Sequence, residues 1–164
     1  MRSDLNDTSG KPIAGTAKVP NSWLALESGG ERWLVDLADA GEVLPVSTLS
    51  EVPLTLPWFL GVANIRGALY SVTDLAAFHG MEPTAIQSRS RLLLVGARFG
   101  NNTALLMSHA HGLKTHAALE AENEAAAPAQ PWRGTCFRDS EGHLWTHLLL
   151  PELLSAPKFL DVAA

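Results

Sequence analysis

Short apolar runs separated by turn residues recur along the chain from Trp23 onward. Three pairs of runs follow the same order of strand, turn and strand: residues 23–26 and 32–35 around 28–30, residues 92–95 and 103–107 around 100–102, and residues 135–137 and 143–146 around 139–142. The turns are rich in glycine, asparagine and aspartate, which readily adopt the backbone angles of tight hairpins. The pattern predicts short antiparallel strands in a sandwich or barrel.

Helical signals are confined to three short places. Asp74 is a suitable N-cap for the apolar run that follows it, and Pro57 and Pro151 each suit the first turn of a helix. The chain is therefore predicted to be all-β with a few short helices.

The same pattern divides the chain along its length. Residues 1–20 are polar or small and are interrupted by glycine and proline, which predicts a flexible N-terminal tail. The folded domain is expected to span residues 21–155, and residues 156–164 are predicted to form a C-terminal tail. A chain of 164 residues suffices for one domain, or for two small lobes that share one core.

Charge and composition narrow the classes of function. The net charge is −5, and lysine and arginine do not cluster, which argues against binding to nucleic acid. No apolar run approaches the ~18 residues of a membrane span, so direct membrane insertion is not expected. The single cysteine, Cys136, is predicted to be a small buried hydrophobe. The first residues lack the apolar core of a signal peptide, and a cytoplasmic protein is expected.

Histidines supply the strongest enzymatic alternative. His109 and His111 alternate along a predicted strand and so share one face, and His116 is close by in sequence. Three such ligands, with Glu120 or Glu122 near a bound water, would suit a metal-binding hydrolase. No HExxH, CxxC, GxSxG or phosphate-binding glycine motif accompanies them. A non-enzymatic protein without a cofactor or metal is therefore favoured.

The most specific segment spans residues 54–75. It predicts a turn, a strand, a tight reversal at Arg66-Gly67 and a second strand. Gly61 suits a positive φ angle or a close backbone approach. Arg66 is expected to project outward, either as a solvated turn residue or as a fork that recognises a partner. Trp58 lies in an apolar patch that is either a core between lobes or an exposed partner site.

This segment resembles the signature of the CheW-like family, the adaptor domains of bacterial chemosensory arrays. The residues that meet the family pattern are Pro57, Phe59, Leu60, Gly61, Val62, Asn64, Ile65, Arg66, Gly67, Val72, Asp74 and Leu75. The order of strands through residues 21–155 fits as well. Residues 57–67, 69–72 and 112–114 resemble the PilI-type branch, which serves type IV pilus twitching motility.

The resemblance implies two SH3-like five-stranded barrel lobes packed on a shared hydrophobic core. It also implies a scaffold that couples a methyl-accepting chemoreceptor to a CheA-type histidine kinase. The regulatory domain of the kinase would bind lobe to lobe, and the cytoplasmic tip of the receptor would lie in an apolar groove between the lobes. Such a protein is recruited to receptor arrays at the membrane. An SH3-like structural module in some other complex is a further alternative.

Nine residues are expected to contact these partners. They are Ala40, Glu42, Trp58, Gly61, Asn64, Arg66, Gly67, Arg91 and Leu92. The resemblance places Ala40 and Glu42 at the edge of the first lobe, at positions used for partner contact, with Arg91 and Leu92 nearby in the second lobe. The other five belong to the signature segment.

Overall fold

The computed structural model describes residues 22–95, 99–122 and 130–164. The strands are β1 (Ser22–Ser28), β2 (Glu31–Asp36), β3 (Ala40–Pro45), β4 (Leu49–Ser50), β5 (Phe59–Ile65), β6 (Ala68–Asp74), β7 (Arg91–Val95), β8 (Thr103–Met107), β9 (His109–Thr115), β10 (Leu119–Ala121), β11 (Arg133–Asp139) and β12 (Leu144–Leu148). The α-helices are α1 (Leu75–Phe78), α2 (Leu150–Ser155) and α3 (Pro157–Leu160). The predicted N-terminal tail, residues 1–20, lies outside the described residues.

The strands form two sheets, one for each lobe. The order is β10-β11-β12-β2-β1-β9 in the first sheet and β3-β7-β8-β6-β5-β4 in the second. Neighbours are antiparallel except for the parallel pairs β12–β2 and β6–β8. Each sheet has five strands of at least five residues and a shorter sixth strand at one edge. The second lobe uses consecutive strands, β3 to β8, whereas the first lobe combines β1 and β2 with β9 to β12.

The central strands are apolar on both faces because each face meets a different core. In β7, Leu92 and Leu94 pack inside the second lobe, whereas Leu93 and Val95 pack in the core that the two lobes share. Strand β8 alternates in the same way. Successive side chains of a strand point to opposite faces, so one strand contributes to both cores. This arrangement explains the apolar runs that lack polar alternation in the sequence.

The first predicted hairpin is present, and two glycines make its turn. Gly29 and Gly30 have φ angles of 60° and 80°, and the flanking Ser28 and Glu31 are paired. Two consecutive positive φ angles are typical of the type I′ turn that suits a two-residue hairpin. The other two predicted strand pairs, β7–β8 and β11–β12, are also antiparallel neighbours.

The C-terminal residues fold against the domain, in contrast to the tail predicted over residues 156–164. Phe159 in α3 is buried in the shared core. Beyond it, the carbonyl of Val162 accepts a hydrogen bond from Leu56 N at 2.8 Å, and Ala164 N donates to Leu54 O at 3.0 Å. The free energy gained by burying one large aromatic ring and by pairing the backbone exceeds the conformational entropy that these residues lose when they become ordered.

Candidate functional site

The reversal at Arg66-Gly67 is a tight turn between β5 and β6. Ile65 and Ala68 pair across it, and Arg66 and Gly67 have φ angles of 51° and 86°. The side-chain oxygen of Asn64 accepts a hydrogen bond from Gly67 N at 2.9 Å. Asn64 and Gly67 therefore shape the turn, whereas the Arg66 side chain is 63% exposed and projects from it.

Arg66 occupies a backbone conformation that disfavours most side chains. The left-handed region costs about 1–2 kcal/mol for a residue other than glycine, and asparagine, aspartate or glycine are the usual choices in this turn. Backbone strain of this kind is often retained where a side chain serves a function. The turn geometry does not explain why position 66 is an arginine. The exposed guanidinium group does supply a reason for arginine at this position.

Ala40 and Glu42 lie on β3 of the second lobe, not at the edge of the first lobe as predicted, and β3 contains a bulge beside Glu42. Ala40 pairs with Val95 and Val43 pairs with Leu93, so Gly41 and Glu42 both lie opposite the intervening residue of β7. A bulge bends its strand and redirects side chains. Only glycine fits at position 41, where a Cβ atom would lie 2.9 Å from a backbone carbonyl oxygen of β7.

An ion pair joins Arg66 Nη2 to Glu42 Oε1. Half of the Glu42 side chain is exposed, and pairs of this kind contribute little to stability. A depression of about 320 Å³ adjoins Glu42. Its lining residues are Gly41, Glu42, Tyr70, Leu94, Val95, Gly100, Asn101 and Asn102. We call this region, together with Arg66, the Glu42–Arg66 surface.

Three of the nine predicted contact residues are buried. Leu92 is fully buried inside the second lobe, which excludes its side chain from a partner in this conformation. Trp58 is 8% exposed, with its ring 5.0 Å from the Phe78 ring and 6.3 Å from the Phe159 ring, so of its two interpretations the structure favours the core. Gly61, with a φ angle of 111°, lies directly against the backbone of β4. Leu92 is buried because both faces of β7 pack in a core.

Ala40 and Arg91 also have structural contacts. Ala40 is half-buried and packs against the shared core. Arg91 Nη1 donates to the carbonyls of Ser88 and Ser90 at 2.8 Å each, which holds the approach to β7. The structure thus brings Glu42 together with the Asn64-Arg66-Gly67 turn. The remaining predicted residues do not take part in this contact.

A second depression, of about 460 Å³, lies between the lobes, and we call it the inter-lobe groove. Its lining residues are Gly29, Gly30, Met81, Glu82, Pro83, Thr84, Ala85, Gln87, Arg89 and Ser108. The glycines belong to the β1–β2 turn of the first lobe, and residues 81–89 belong to the connection between α1 and β7. The expected groove was apolar, whereas this lining mixes apolar and polar side chains.

The three histidines of the alternative metal site do not meet. The rings of His109 and His111 are 4.4 Å apart, and His111 Nε2 lies 3.0 Å from a carboxylate oxygen of Glu27. His116 instead stacks on Trp23 at 4.7 Å. His116 contacts Trp23 and His111 contacts Glu27. Trp23 and Glu27 are four residues apart in β1, a separation of about 13 Å, so these two histidines lie far from each other. Among the described residues, no group of three or more histidine, cysteine or acidic side chains is arranged to hold a metal ion.

His79 forms a buried aromatic cluster that the sequence did not indicate. Trp132 Nε1 donates to His79 Nε2 at 2.8 Å, and the His79 ring stacks on Trp33 at 5.3 Å. Burial, and then the nearby Arg133 guanidinium, lower the pKa of His79 from 6.5 to about 4. The ring is therefore neutral at neutral pH, which lets Nε2 accept the hydrogen bond.

We expect acid to weaken the fold through His79. The unfolded chain takes up this proton near pH 6.5, whereas the folded chain resists it until about pH 4, so the contribution is present above pH 6.5 and is lost as the pH falls. Allowing for partial exposure, the free energy of unfolding should drop by about 1–2 kcal/mol over that window. Urea unfolding at several pH values measures the drop. His79→Gln should flatten the dependence, and an unchanged slope in His79→Gln would contradict this origin.

Comparison with known proteins decides the family. A family model described as CheW-like domain matches residues 22–158. The chain belongs to the CheW-like family. The resemblance seen in the sequence is thereby confirmed, and CheW-like domains are scaffolding adaptors and not enzymes.

Two curated proteins are similar to this CheW-like chain over part of their length. Protein PilI of Pseudomonas aeruginosa is 31% identical over 86 residues, which are 52% of this chain and 48% of PilI. The probable chemotaxis protein CheW of Rhizobium etli is 28% identical over 75 residues, which are 46% of this chain and 48% of that protein. The matches thus span about half the length of these curated relatives. The likeness to PilI agrees with the predicted PilI-type branch.

A solved structure supports the two-lobed fold of the CheW-like chain. The scaffolding protein TtCheW from Thermoanaerobacter tengcongensis superposes with a TM-score of 0.66 at 17% identity, covering 79% of this chain and 89% of TtCheW. The predicted fold class, all-β with two SH3-like lobes, is confirmed. No helix among the described residues is long and apolar enough to cross a membrane.

Proposed function

We propose that this chain is a non-enzymatic adaptor that couples a methyl-accepting chemoreceptor to a CheA-type histidine kinase. In this proposal the system controls type IV pilus twitching motility, because the chain is similar to PilI. The adaptor makes and breaks no bond. It acts by holding the kinase close to the receptor in one geometry, which raises the effective concentration of each for the other. It resides in the cytoplasm and joins receptor arrays at the membrane.

The Glu42–Arg66 surface is the observation that supports a binding role most directly. An arginine held in a strained turn and an acidic side chain held on a bulge meet on the outside of the second lobe. The planar guanidinium has further donors beyond the one that Glu42 accepts, so it can also pair with a partner. We assign the regulatory domain of the kinase to this surface.

The inter-lobe groove is assigned to the cytoplasmic tip of the receptor. Its lining shares no residue with that of the depression beside Glu42, so the two partners are assigned to separate sites. Met81, one of its lining residues, is 41% exposed, and nearby Ile86 is 52% exposed. Exposed apolar side chains beside a concave surface suit the apolar stripe of a helix.

Binding of each partner by itself tests the proposal. The full chain is mixed separately with the kinase regulatory domain and with a two-helix fragment of the receptor tip, both from the same genome. Binding to each fragment is expected, and a ternary complex is expected when both are present. Failure to bind either fragment at concentrations up to about 1 mM, where an interaction would be worth only about 4 kcal/mol, would refute the proposal.

Arg66→Asn should distinguish the effect of the turn conformation on stability from the effect of the arginine side chain on binding. Asparagine tolerates the left-handed conformation, so the free energy of unfolding should stay the same or rise by up to about 1 kcal/mol, even though the exposed ion pair is lost. Loss of an interface arginine typically costs 1 kcal/mol or more, so the kinase domain should bind at least about five-fold more weakly. Urea unfolding and calorimetric titration measure the two effects.

Arg138→Gln is the matched control for Arg66→Asn. Arg138 is also an exposed arginine, 45% accessible, and it also pairs with a glutamate, Glu122, at 3.0 Å. It lies on β11 of the first lobe, away from the turn, and its loss should leave kinase binding unchanged. Equal binding by Arg66→Asn and the wild-type protein would show that Arg66 is a solvated turn residue only.

A further inference from the structure

Asp74 is a buried acidic residue that serves two elements at once. It is 1% exposed and ends β6. Its Oδ1 accepts a hydrogen bond from Ala76 N at 3.1 Å, which caps α1. The same carboxyl group also accepts from Thr84 twice, from the backbone N–H at 2.7 Å and from the hydroxyl at 2.8 Å. A helix cap needs only the first of these bonds, so the contacts to Thr84 require another explanation.

Thr84 lies in the middle of the long connection between α1 and β7. This connection has no regular secondary structure between residues 81 and 89, yet its backbone is held at several points. Ser90 Oγ accepts a hydrogen bond from Gln87 N at 2.8 Å, and the Asp74 carboxyl group accepts one from Thr84 N. A loop fixed in this way has lost its conformational freedom before any partner arrives.

The first lobe limits the position of the same loop from the other side. Gly29 in the β1–β2 turn approaches so closely that a Cβ atom there would lie 2.9 Å from Ala76 Cβ and 3.4 Å from Met81 Cβ. The β1–β2 turn of the first lobe and the start of the loop, which both line the inter-lobe groove, thus pack closely against each other. The distance between them depends on where the loop is held.

We propose that the Asp74–Thr84 hydrogen bonds position residues 81–89 as a preformed wall of the inter-lobe groove and thereby set the affinity for the receptor tip. This inference rests on the proposed function. Asp74 and Thr84 are positioning residues in it, and Met81 and Ile86 supply apolar contacts to an amphipathic helix. When the bonds are weakened, binding must also order the loop, and part of the interaction energy is lost.

Thr84→Val tests the inference with little risk to folding, because valine keeps the shape of threonine and removes only the hydroxyl donor. The full-length variant should bind the two-helix receptor fragment about ten-fold more weakly. Its affinity for the kinase regulatory domain should stay within about two-fold of the wild-type value, because that surface shares no lining residue with the groove. Amide hydrogens of residues 84–87 should exchange faster, which a change confined to the contact surface would not cause.

Thr84→Ser is the matched control, since serine retains the hydroxyl and should restore receptor binding. Unchanged receptor affinity in Thr84→Val, or equal losses for receptor and kinase fragments, would overturn the inference while leaving the adaptor function intact. A wild-type protein that binds the kinase domain but not the receptor fragment would refute the receptor half of the proposed function, and the inference with it.

Discussion

Replacing Gly61 with alanine is expected to destabilise the fold by about 3 kcal/mol or more. A Cβ atom at this position would lie 2.1 Å from the carbonyl oxygen of Ser50, and the φ angle of 111° disfavours any side chain. Backbone strain and overpacking each cost about 1–3 kcal/mol, and the colliding atom belongs to the backbone of β4, which cannot rotate away. Urea unfolding of Gly61→Ala and wild-type protein measures the difference.

Gly67→Ala is the control that isolates the effect of the steric overlap with β4. Gly67 also has a positive φ angle, 86°, but a Cβ atom there would meet nothing within 4 Å. Its substitution should therefore cost only the conformational penalty, about 1–2 kcal/mol. Similar losses for Gly61→Ala and Gly67→Ala would show that the close approach of β4 is relieved by a small shift, and that Gly61 has no special packing role.

Trp58→Ala is expected to lower the free energy of unfolding by about 3–5 kcal/mol. The indole is 8% exposed and contacts the rings of Phe78 and Phe159 in the shared core. Removal of a large buried ring loses its transfer free energy and leaves a cavity, and this sum is typical of tryptophan truncation. The loss should appear as an earlier urea midpoint, measured at neutral pH to keep His79 uncharged.

The same substitution distinguishes the two interpretations of Trp58. An exposed partner contact would tolerate alanine, with stability changed by less than about 0.5 kcal/mol and partner binding weakened. Trp58→Phe should recover most of the stability, because a smaller ring still fills part of the site. Wild-type stability in Trp58→Ala would contradict a core role.

The features that depend on neighbouring residues could be predicted from the sequence. Gly29-Gly30 and Gly67 favour tight turns through the backbone freedom of glycine, and Asp74 specifies a helix cap, so these elements lie where they were expected. The first hairpin is fixed by the turn and by the apolar runs on either side of it.

The partner of Arg66 could not be predicted, because it lies in a distant part of the chain. The Glu42–Arg66 pair joins residues 24 positions apart and requires both a bulge in β3 and closure of the second lobe. The burial of Leu92 could not be predicted for a related reason. Strand β7 is apolar on both faces, so no alternation in its sequence distinguishes the lobe interior from an outer face.

The two lobes also differ in how far apart their strands are in sequence. The second lobe is built from consecutive strands, whereas β1 of the first lobe pairs with β9, and Glu27 lies opposite His109. Closing a long loop has an entropic cost, and the chain loses this entropy before the new contacts can stabilise it. The second lobe can condense first and bring the separated parts of the first lobe together. We therefore expect assembly to begin in the second lobe, with the pairing of β1 and β9 in the first lobe following it.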